Sequence, residues 1–274
     1  MPKLVIIGAD SYLANGLEKY FNEWEVCSLF FHNWENDKKN LQSANCVVNF
    51  SISPDFSETI IDPTNTIDYK IAQTLKGTKT QFIFISSRKV YGSINECKTF
   101  IESNPLIPSD FYSSNKIALE QELQNVKNLN LTILRVANII GEPVIRKNYK
   151  TFIGWICENF LTFGKIKVSQ NSQSKKDFIT KDFLHRSIFD IARLNICDIL
   201  NVSSGIPTTI NQILSGYIGL ENLELLGEHL PCTDQFILDN SKLKKLTGCS
   251  ITQQDIQKAI LKFRKELFDK KNAQ

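Results

Sequence analysis

The feature that most constrains this chain is a repeated alternation of short, continuous Val/Ile/Leu/Phe runs with stretches of helical spacing. Leu4-Val5-Ile6-Ile7 is the first run, and Gly8 opens a turn after it. Leu13, Leu17, Tyr20 and Phe21 then recur at helical spacing up to a second run between Glu25 and Phe31. The rhythm continues through Cys46 to Phe50, a polar segment leading into Ile67 to Leu75, the run Phe82 to Ile85, a helix from Asp110 to Lys127, and the run Leu131 to Val136. Strands that are apolar throughout, with no in/out alternation, are buried on both faces. That is the pattern of a parallel sheet covered by helices on either side.

Beyond Gly141 the rhythm breaks. Phe152 to Phe163 is helical, Ile166 to Val168 a short strand, and Gln170 to Lys176 a polar loop; further strands follow at Ile199 to Val202 and Leu223 to Leu226. The last element is an amphipathic helix with a stripe of Ile256, Ala259, Ile260, Phe263 and Leu267. Thr252 and Asp255 are spaced as a capping box at its start. Such a stripe could bind a partner; docking on the protein's own core is the reading adopted.

Composition narrows the class. With 42% hydrophobic residues and 32 basic against 29 acidic side chains, the 274-residue chain is neither disordered nor fibrous, and its small positive charge is too weak for a nucleic-acid footprint. The apolar start after Lys3 is too short for a signal peptide, and no run approaches the ~18 residues of a membrane span. A soluble cytoplasmic protein with no membrane or nucleic-acid partner is expected. The seven cysteines (Cys27, Cys46, Cys97, Cys157, Cys197, Cys232, Cys249) form no CxxC pair and read as reduced core thiols. His32, His185 and His229 have no ligand-spaced companions, so no metal is expected. Trp155 and the phenylalanines read as core.

Three stretches carry chemistry. The first turn reads Gly8-Ala9-Asp10-Ser11-Tyr12-Leu13-Ala14, a spacing that brings backbone N–H groups and a helix N-terminus to a pyrophosphate, with Ser11 and Ala14 where a full glycine fingerprint would have Gly. The fourth run leaves the sheet through Ser86-Ser87-Arg88-Lys89-Val90-Tyr91-Gly92. The third, Tyr112-Ser113-Ser114-Asn115-Lys116, places Tyr112 and Lys116 on one helical face. A phenol is a poor acid or base at neutral pH, but an ammonium beside it favours phenolate and brings it toward the working range. Ser87 could hold the reacting oxygen. The bland alternative is a solvated helix face with a half-buried ring.

The order GxxSxxA, SSxxVYG and YxxxK with Glu120, then Leu134-Arg135-Val136-Ala137-Asn138-Ile139-Ile140-Gly141, Lys176-Asp177-Phe178-Ile179 with Asp182, Asn201 to Gly205 and Asp239 to Leu243, resembles the extended short-chain dehydrogenase/reductases that modify nucleotide sugars. The resemblance implies a Rossmann-type doubly wound sheet with a small C-terminal α/β lobe. Residues 1–140 would be the NAD(P)-binding domain with 177–204 returning to it, and 141–176 with 205–274 the substrate lobe. It implies Ser87, Tyr112 and Lys116 as catalytic, Tyr112 exchanging the proton and Lys116 lowering its pKa and binding the nicotinamide ribose. Cofactor contacts would come from Gly8, Asp10, Ser11, Tyr12, Leu13, Phe50, Ser51, Tyr112 and Lys116. Ser87, Arg88, Asn138 and Lys176 would meet a nucleoside diphosphate sugar. Lysine at 176, where such enzymes most often carry arginine, keeps the charge without the bidentate fork. Asn138 capping a turn and Lys176 lying solvated in a loop are the competing readings. The resemblance also implies pairing of two copies through the YxxxK helix.

Within that family, 4,6-dehydratases carry Asp and Glu after the Ser/Thr, whereas Arg88 and Lys89 stand here. The expectation is therefore an NAD(P)H-dependent 4-keto reductase acting in activated-sugar biosynthesis for surface polysaccharide. A 4-epimerase with tightly held NAD and a catalytically inactive Rossmann binding protein are the alternatives. Phe30-Phe31-His32-Asn33 puts no carboxylate at the end of the second run, and Glu35 and Asp37 follow with Lys38 and Lys39 behind them, so NADP(H) is expected over NAD(H).

Overall fold

Six of the apolar runs lie side by side in the computed structural model, which describes residues 1–92, 97–141, 152–169, 174–226 and 235–273. They are β1 (Lys3–Ile7), β2 (Glu25–Leu29), β3 (Cys46–Asn49), β4 (Gln81–Ser87), β6 (Asn130–Val136) and β11 (Ile199–Val202), all parallel, in the order β2-β1-β3-β4-β6-β11. Alternate side chains of one strand enter opposite cores, as the two-residue period of a strand requires. Val5, Ile7, Val47, Phe82 and Phe84 pack with Leu41 of α1 (Lys38–Ser43), Ile71 and Leu75 of α2 (Ile67–Leu75), and Leu119 and Leu123 of α3 (Phe111–Asn125). Leu4, Ile6, Val48 and Ile83 face the other way, toward Phe183, Leu184 and Ile188 of α5 (Lys181–Arg193). This is the doubly wound α/β sheet that the sequence pattern predicts.

The Leu13 to Phe21 spacing, by contrast, makes no α-helix. Ser11, Ala14 and Leu17 close i→i−3 bonds to Gly8, Ser11 and Ala14, and a 3-10 turn spans Leu17–Tyr20. The turn dipeptide Asn15-Gly16 explains the difference: Gly16 has φ +93°, which an α-helix cannot contain. Leu17 and Phe21 are nevertheless buried, so the apolar spacing reports packing rather than helix.

A second, four-stranded sheet has the order β12-β9-β14-β5, built from β12 (Thr208–Thr209), β9 (Lys175–Lys176), β14 (Gln235–Leu238) and β5 (Cys97–Phe100). Of the expected loop, Ser174 to Lys176 are described, and Lys175–Lys176 form a strand; 170–173 lie outside the described residues. Short parallel pairs join β7 (Asn138–Ile140) to β10 (Phe178–Thr180) and β8 (Ile166–Ser169) to β13 (Leu223–Leu226). Helices α4 (Phe152–Phe163), α6 (Ile210–Ile218), α7 (Ser241–Thr247) and α8 (Gln253–Asn272) complete the chain. In α8, Ile256, Ile260, Phe263 and Leu267 are buried and Ala259 partly so, the helix lies on α6, and the Thr252/Asp255 capping box is formed. Its stripe belongs to the protein's own core.

Three assignments to the core are corrected. Phe30, Phe31, Phe111 and Phe163 are exposed, in the turn after β2 and at the ends of α3 and α4. Trp155 is 42% exposed, stacked on Phe152 at the surface of α4. Of the cysteines, Cys46, Cys157 and Cys249 are buried, Cys27 is intermediate and Cys197 exposed, because Cys197 sits in the turn between α5 and β11. The Cys97 side chain and Cys232 lie outside what is described, as does His229. Among the described residues no helix is long and apolar enough to cross a membrane, and no cluster of three His, Cys, Asp or Glu could hold a metal ion.

One buried ion pair fastens α3 to the sheet. Arg135 of β6 donates through Nε and Nη2 to the Glu120 carboxylate at 2.7 to 3.2 Å, and both side chains are almost wholly buried. Ser86 Oγ also donates to Glu120, and Arg135 Nη1 reaches Tyr91 Oη at 3.0 Å and the Glu102 carbonyl at 2.7 Å. Removing one partner strands a buried charge. Glu120→Ala should lower unfolding free energy by about 3–5 kcal/mol in urea titration, and a Glu120→Leu/Arg135→Met double variant should recover most of it. A Glu120→Ala midpoint equal to that of the unaltered protein would show that the pair carries no such weight.

Candidate active site

β1 and β3 are neighbours in the sheet although β2 lies between them in sequence, so the chain leaves their carboxyl ends in opposite directions. Such a switch point opens a crevice. Gly8, at the end of β1, has φ +74°, and a Cβ there would lie 2.7 Å from the Ser51 backbone nitrogen. Only glycine allows the two strand exits to come this close. Gly8 and Ala9 N–H groups bond the Leu29 carbonyl, and His185 Nε2 donates to the Leu13 carbonyl at 2.7 Å, which pins the turn from the opposite layer. The histidine expected to be chemically bland is a structural donor.

The crevice widens into a cavity of about 690 Å³. Ser11, Tyr12 and Leu13 of the turn, Phe50 and Ser51 after β3, Arg88, Tyr112, Lys116 and Asn138 all line it. Gly8, Asp10, Ser87 and Lys176 are not among the described lining residues. Gly8 acts from beneath through its approach to Ser51, and Lys176 sits in β9, paired with Thr208 and Phe236. Gly141 also lines the cavity, and a side chain there would overlap the Tyr12 phenol.

The start of α3 is set by Asp110, whose carboxylate accepts from Ser113 N at 2.8 Å while Ser113 Oγ accepts from Asp110 N at 3.0 Å. One turn separates Tyr112 from Lys116, and both point into the cavity. The Lys116 ammonium donates to the Ile85 carbonyl at 2.7 Å and lies over the rings of Phe84 and Phe56, at 4.6 and 5.1 Å. It stands 5.9 Å from the centre of the Tyr112 ring.

The phenol is not poised as the sequence suggests. Burial pushes Tyr112 up to about 12, against the lowering effect of its hydrogen bond with Ser87. Burial also pushes Lys116 down. Desolvation leads, while the Lys116 ammonium is engaged with Ile85 and the rings, and the phenol keeps its proton.

Arg88 Nε donates to Asn138 Oδ1 at 2.8 Å, and Asn138 Nδ2 donates to the Asp177 carbonyl at 2.8 Å. Asn138 therefore braces β7, β10 and Arg88 while facing the cavity. Lys89 pairs with Asp110 at 2.8 Å and lies 5.4 Å over the Tyr112 ring. Two polar residues of the wall escaped the sequence reading. Asn49 and Asp68 are buried, 3% and 4% exposed, and Asn49 Nδ2 donates to Asp68 Oδ1 at 2.7 Å. Asp68 shares the inner face of α2 with Ala72 and Leu75, so a carboxylate at an apolar helical position was the available clue.

The model of the NAD dependent epimerase/dehydratase family matches residues 29–193. No curated protein matches. Among solved structures, UDP-N-acetylglucosamine 4-epimerase from Methanobrevibacter ruminantium, in complex with UDP-N-acetylmuramic acid, is 17% identical with a TM-score of 0.80 over 98% of this chain and 99% of that one. A variant of UDP-glucuronic acid 4-epimerase from Bacillus cereus, in complex with a fluorinated UDP-glucuronic acid and NAD, is 18% identical with a TM-score of 0.75 over 97% and 99%. RMD from Pseudomonas aeruginosa, complexed with NADPH, is 18% identical with a TM-score of 0.74 over 97% and 100%.

The Gly8 approach gives a test of the crevice that needs no ligand. Gly8→Ala forces a left-handed backbone on a residue whose Cβ collides with Ser51, and should cost about 1–3 kcal/mol in chemical denaturation. An unchanged midpoint would mean that the turn can relax away from Ser51.

Proposed function

The chain belongs to the NAD-dependent epimerase/dehydratase family of nucleotide-sugar-modifying enzymes, and from that premise we propose that it is an NAD(P)H-dependent reductase of a nucleoside diphosphate 4-keto-(6-deoxy)sugar. The observation that carries this reading is the placement of Tyr112: a phenol that faces the cavity one helical turn from Lys116, beside the crevice that Gly8 keeps open. Reducing a ketone creates an alkoxide, a far stronger base than phenolate, so a protonated phenol is the form the reaction uses. Oxidising a sugar alcohol instead requires Tyr112 Oη to take the hydroxyl proton while a hydride leaves the adjoining carbon, and burial disfavours the phenolate from which that step starts. Arg88 and Lys89 add a second argument, because elimination of water needs an acid/base pair beside Ser87 and two cations cannot supply it.

The residues present fit a nicotinamide dinucleotide. Gly8 keeps the floor of the crevice free of side chains, and Ser51 Oγ is buried there without a hydrogen-bond partner. Ser11, Tyr12, Leu13, Phe50 and Ser51 would hold the dinucleotide, and Lys116 its nicotinamide ribose. When bound, the reduced cofactor supplies the hydride. Ser87 and Tyr112 would bind the keto oxygen, Tyr112 Oη delivering the proton as the charge develops, with Lys116 offsetting the phenolate left behind. Arg88, braced by Asn138, would face the sugar.

Tyr112→Phe should cut turnover of nucleotide-linked 4-keto-6-deoxy sugars by roughly 10²- to 10⁴-fold while cofactor binding changes little; activity within twofold of the unaltered enzyme would sink the assignment. Each product molecule should consume one reduced cofactor, read as absorbance loss. The two 4-epimerases among the similar structures favour a second reading. Isomerisation of a 4-hydroxy sugar nucleotide by protein carrying its own NAD⁺, with no added reductant, would establish it.

NADP(H) is the proposed cofactor. β2 ends at Leu29, and Phe30 N bonds the Asn33 side chain at 3.0 Å while the Phe30 and His32 rings stack. Glu35 leans toward Lys70 at 3.7 Å, and Asp37 accepts from Asn40 at 2.8 Å. Both carboxylates have partners of their own, and β2 itself ends without one, which favours a 2′-phosphate. Fluorescence titration should find NADPH bound at least tenfold more tightly than NADH; the reverse ratio would overturn this preference.

A further inference from the structure

Lys116 is buried at 5% exposure among three aromatic rings, with the Ile85 carbonyl as its close acceptor. An ammonium in such surroundings loses most of its hydration and needs an anion nearby to remain charged. Two carboxylates act on it: Glu120, one turn further along α3, and Asp68 on α2, which packs against α3. Tyr112, from its own helix, is the other titratable group facing it.

Glu120 is already committed. Both of its oxygens accept from Arg135, and Ser86 donates to Oε1 as well. Its charge is neutralised by Arg135 of β6. Among the described residues Asp68 has no such cation in contact; burial pushes its carboxyl up, and the charge of Lys116 works against that. Its Oδ1 accepts from Asn49 Nδ2, a neutral donor, and Asn49 Oδ1 in turn accepts from Ser51 N at 2.9 Å. Thr66, whose Oγ1 accepts from Tyr69 N at 3.2 Å, caps the helix that carries Asp68. The carboxylate is thus fixed in position from two sides. It is also the one acidic side chain among the described residues that line the cavity, against Arg88, Lys89 and Lys116.

We propose that Asp68 is the positioning residue of Lys116: a buried carboxylate on α2, braced by Asn49, that lines the same cavity and serves the Lys116 amine in its ring-lined pocket as counter-charge. The charge of Lys116 thereby depends on α2, an element outside the Ser87, Tyr112 and Lys116 set. The catalytic consequence rests on the reductase reading given above, since only a charged Lys116 can offset a phenolate at Tyr112. The Asn49 bridge also links Asp68 to the loop at Ser51, so the same carboxylate ties the lysine pocket to the crevice where a dinucleotide would lie.

The test is a pH titration of Lys116 in full-length protein labelled with ε-¹³C lysine, the resonance assigned by its loss in Lys116→Arg. Asp68→Asn keeps the shape and an acceptor for Asn49 while removing the charge. It should lower the Lys116 midpoint by about one pH unit or more, and Asp68→Glu should restore most of the shift. A midpoint unchanged within about 0.3 unit would overturn the proposal. If Asp68→Asn does not fold, as judged by circular dichroism, Asp68→Ser is read in the same way. NADPH affinity followed by fluorescence should, in Asp68→Asn, begin to fall at a pH lower by the same amount. A shifted Lys116 midpoint in a protein that binds neither NADPH nor NADH would fault the functional reading and still support the role of Asp68.

Discussion

The Glu120–Arg135 pair is the contact on which the rest of the site depends. Tyr112, Lys116 and Glu120 recur every four residues along one face of α3, so fixing Glu120 fixes the direction in which the other two point. Arg135 supplies the anchor from β6, and its remaining N–H groups reach Tyr91 and the Glu102 carbonyl. Tyr91 Oη in turn donates to Asn201 Oδ1 of β11 at 2.8 Å, and Asn201 Nδ2 reaches the carbonyls of Phe100 and Asp239. A single buried guanidinium therefore sets the angle of α3 on the sheet and holds β5 and the segment after β14 to it. Well-packed apolar residues could give as much stability, but they would not register a helix against four separate strands at hydrogen-bond precision.

Much of this was legible in the sequence, for a stated reason. Strands buried on both faces are apolar along most of their length, so Leu4–Ile7, Cys46–Val48 and Phe82–Ile85 announce a parallel sheet without help from tertiary structure. The misreadings have equally local causes. The spacing of Leu13, Leu17 and Phe21 satisfies a buried 3-10 turn as well as a helix, and only the Asn15-Gly16 dipeptide separates the two. Trp155 looks like core by residue type, yet the opposite side of α4 faces inward. The phenol of Tyr112 could not be read at all, because its proton depends on how much water the folded cavity excludes, and spacing along a helix carries no measure of that. Asp68 and Asn49 were missed for a related reason: they are each other's partner, brought together from α2 and the end of β3, nineteen residues apart in the chain.

The pairing of β5 with β14 bears on the order in which the protein can be assembled. Cys97 to Phe100 lie in register with Gln235 to Leu238, and the Phe100 and Phe236 rings sit 4.5 Å apart. During synthesis the large sheet has all its strands once Val202 has left the ribosome, whereas β5 has no neighbour until Leu238 follows. For that interval the nascent chain carries a strand with both edges open, the kind of surface that captures strands from other chains. Truncated forms ending before Gln235 would be held in that state permanently. The four-stranded sheet, though three of its strands come from the second half of the sequence, is incomplete without the segment that the first half lends it.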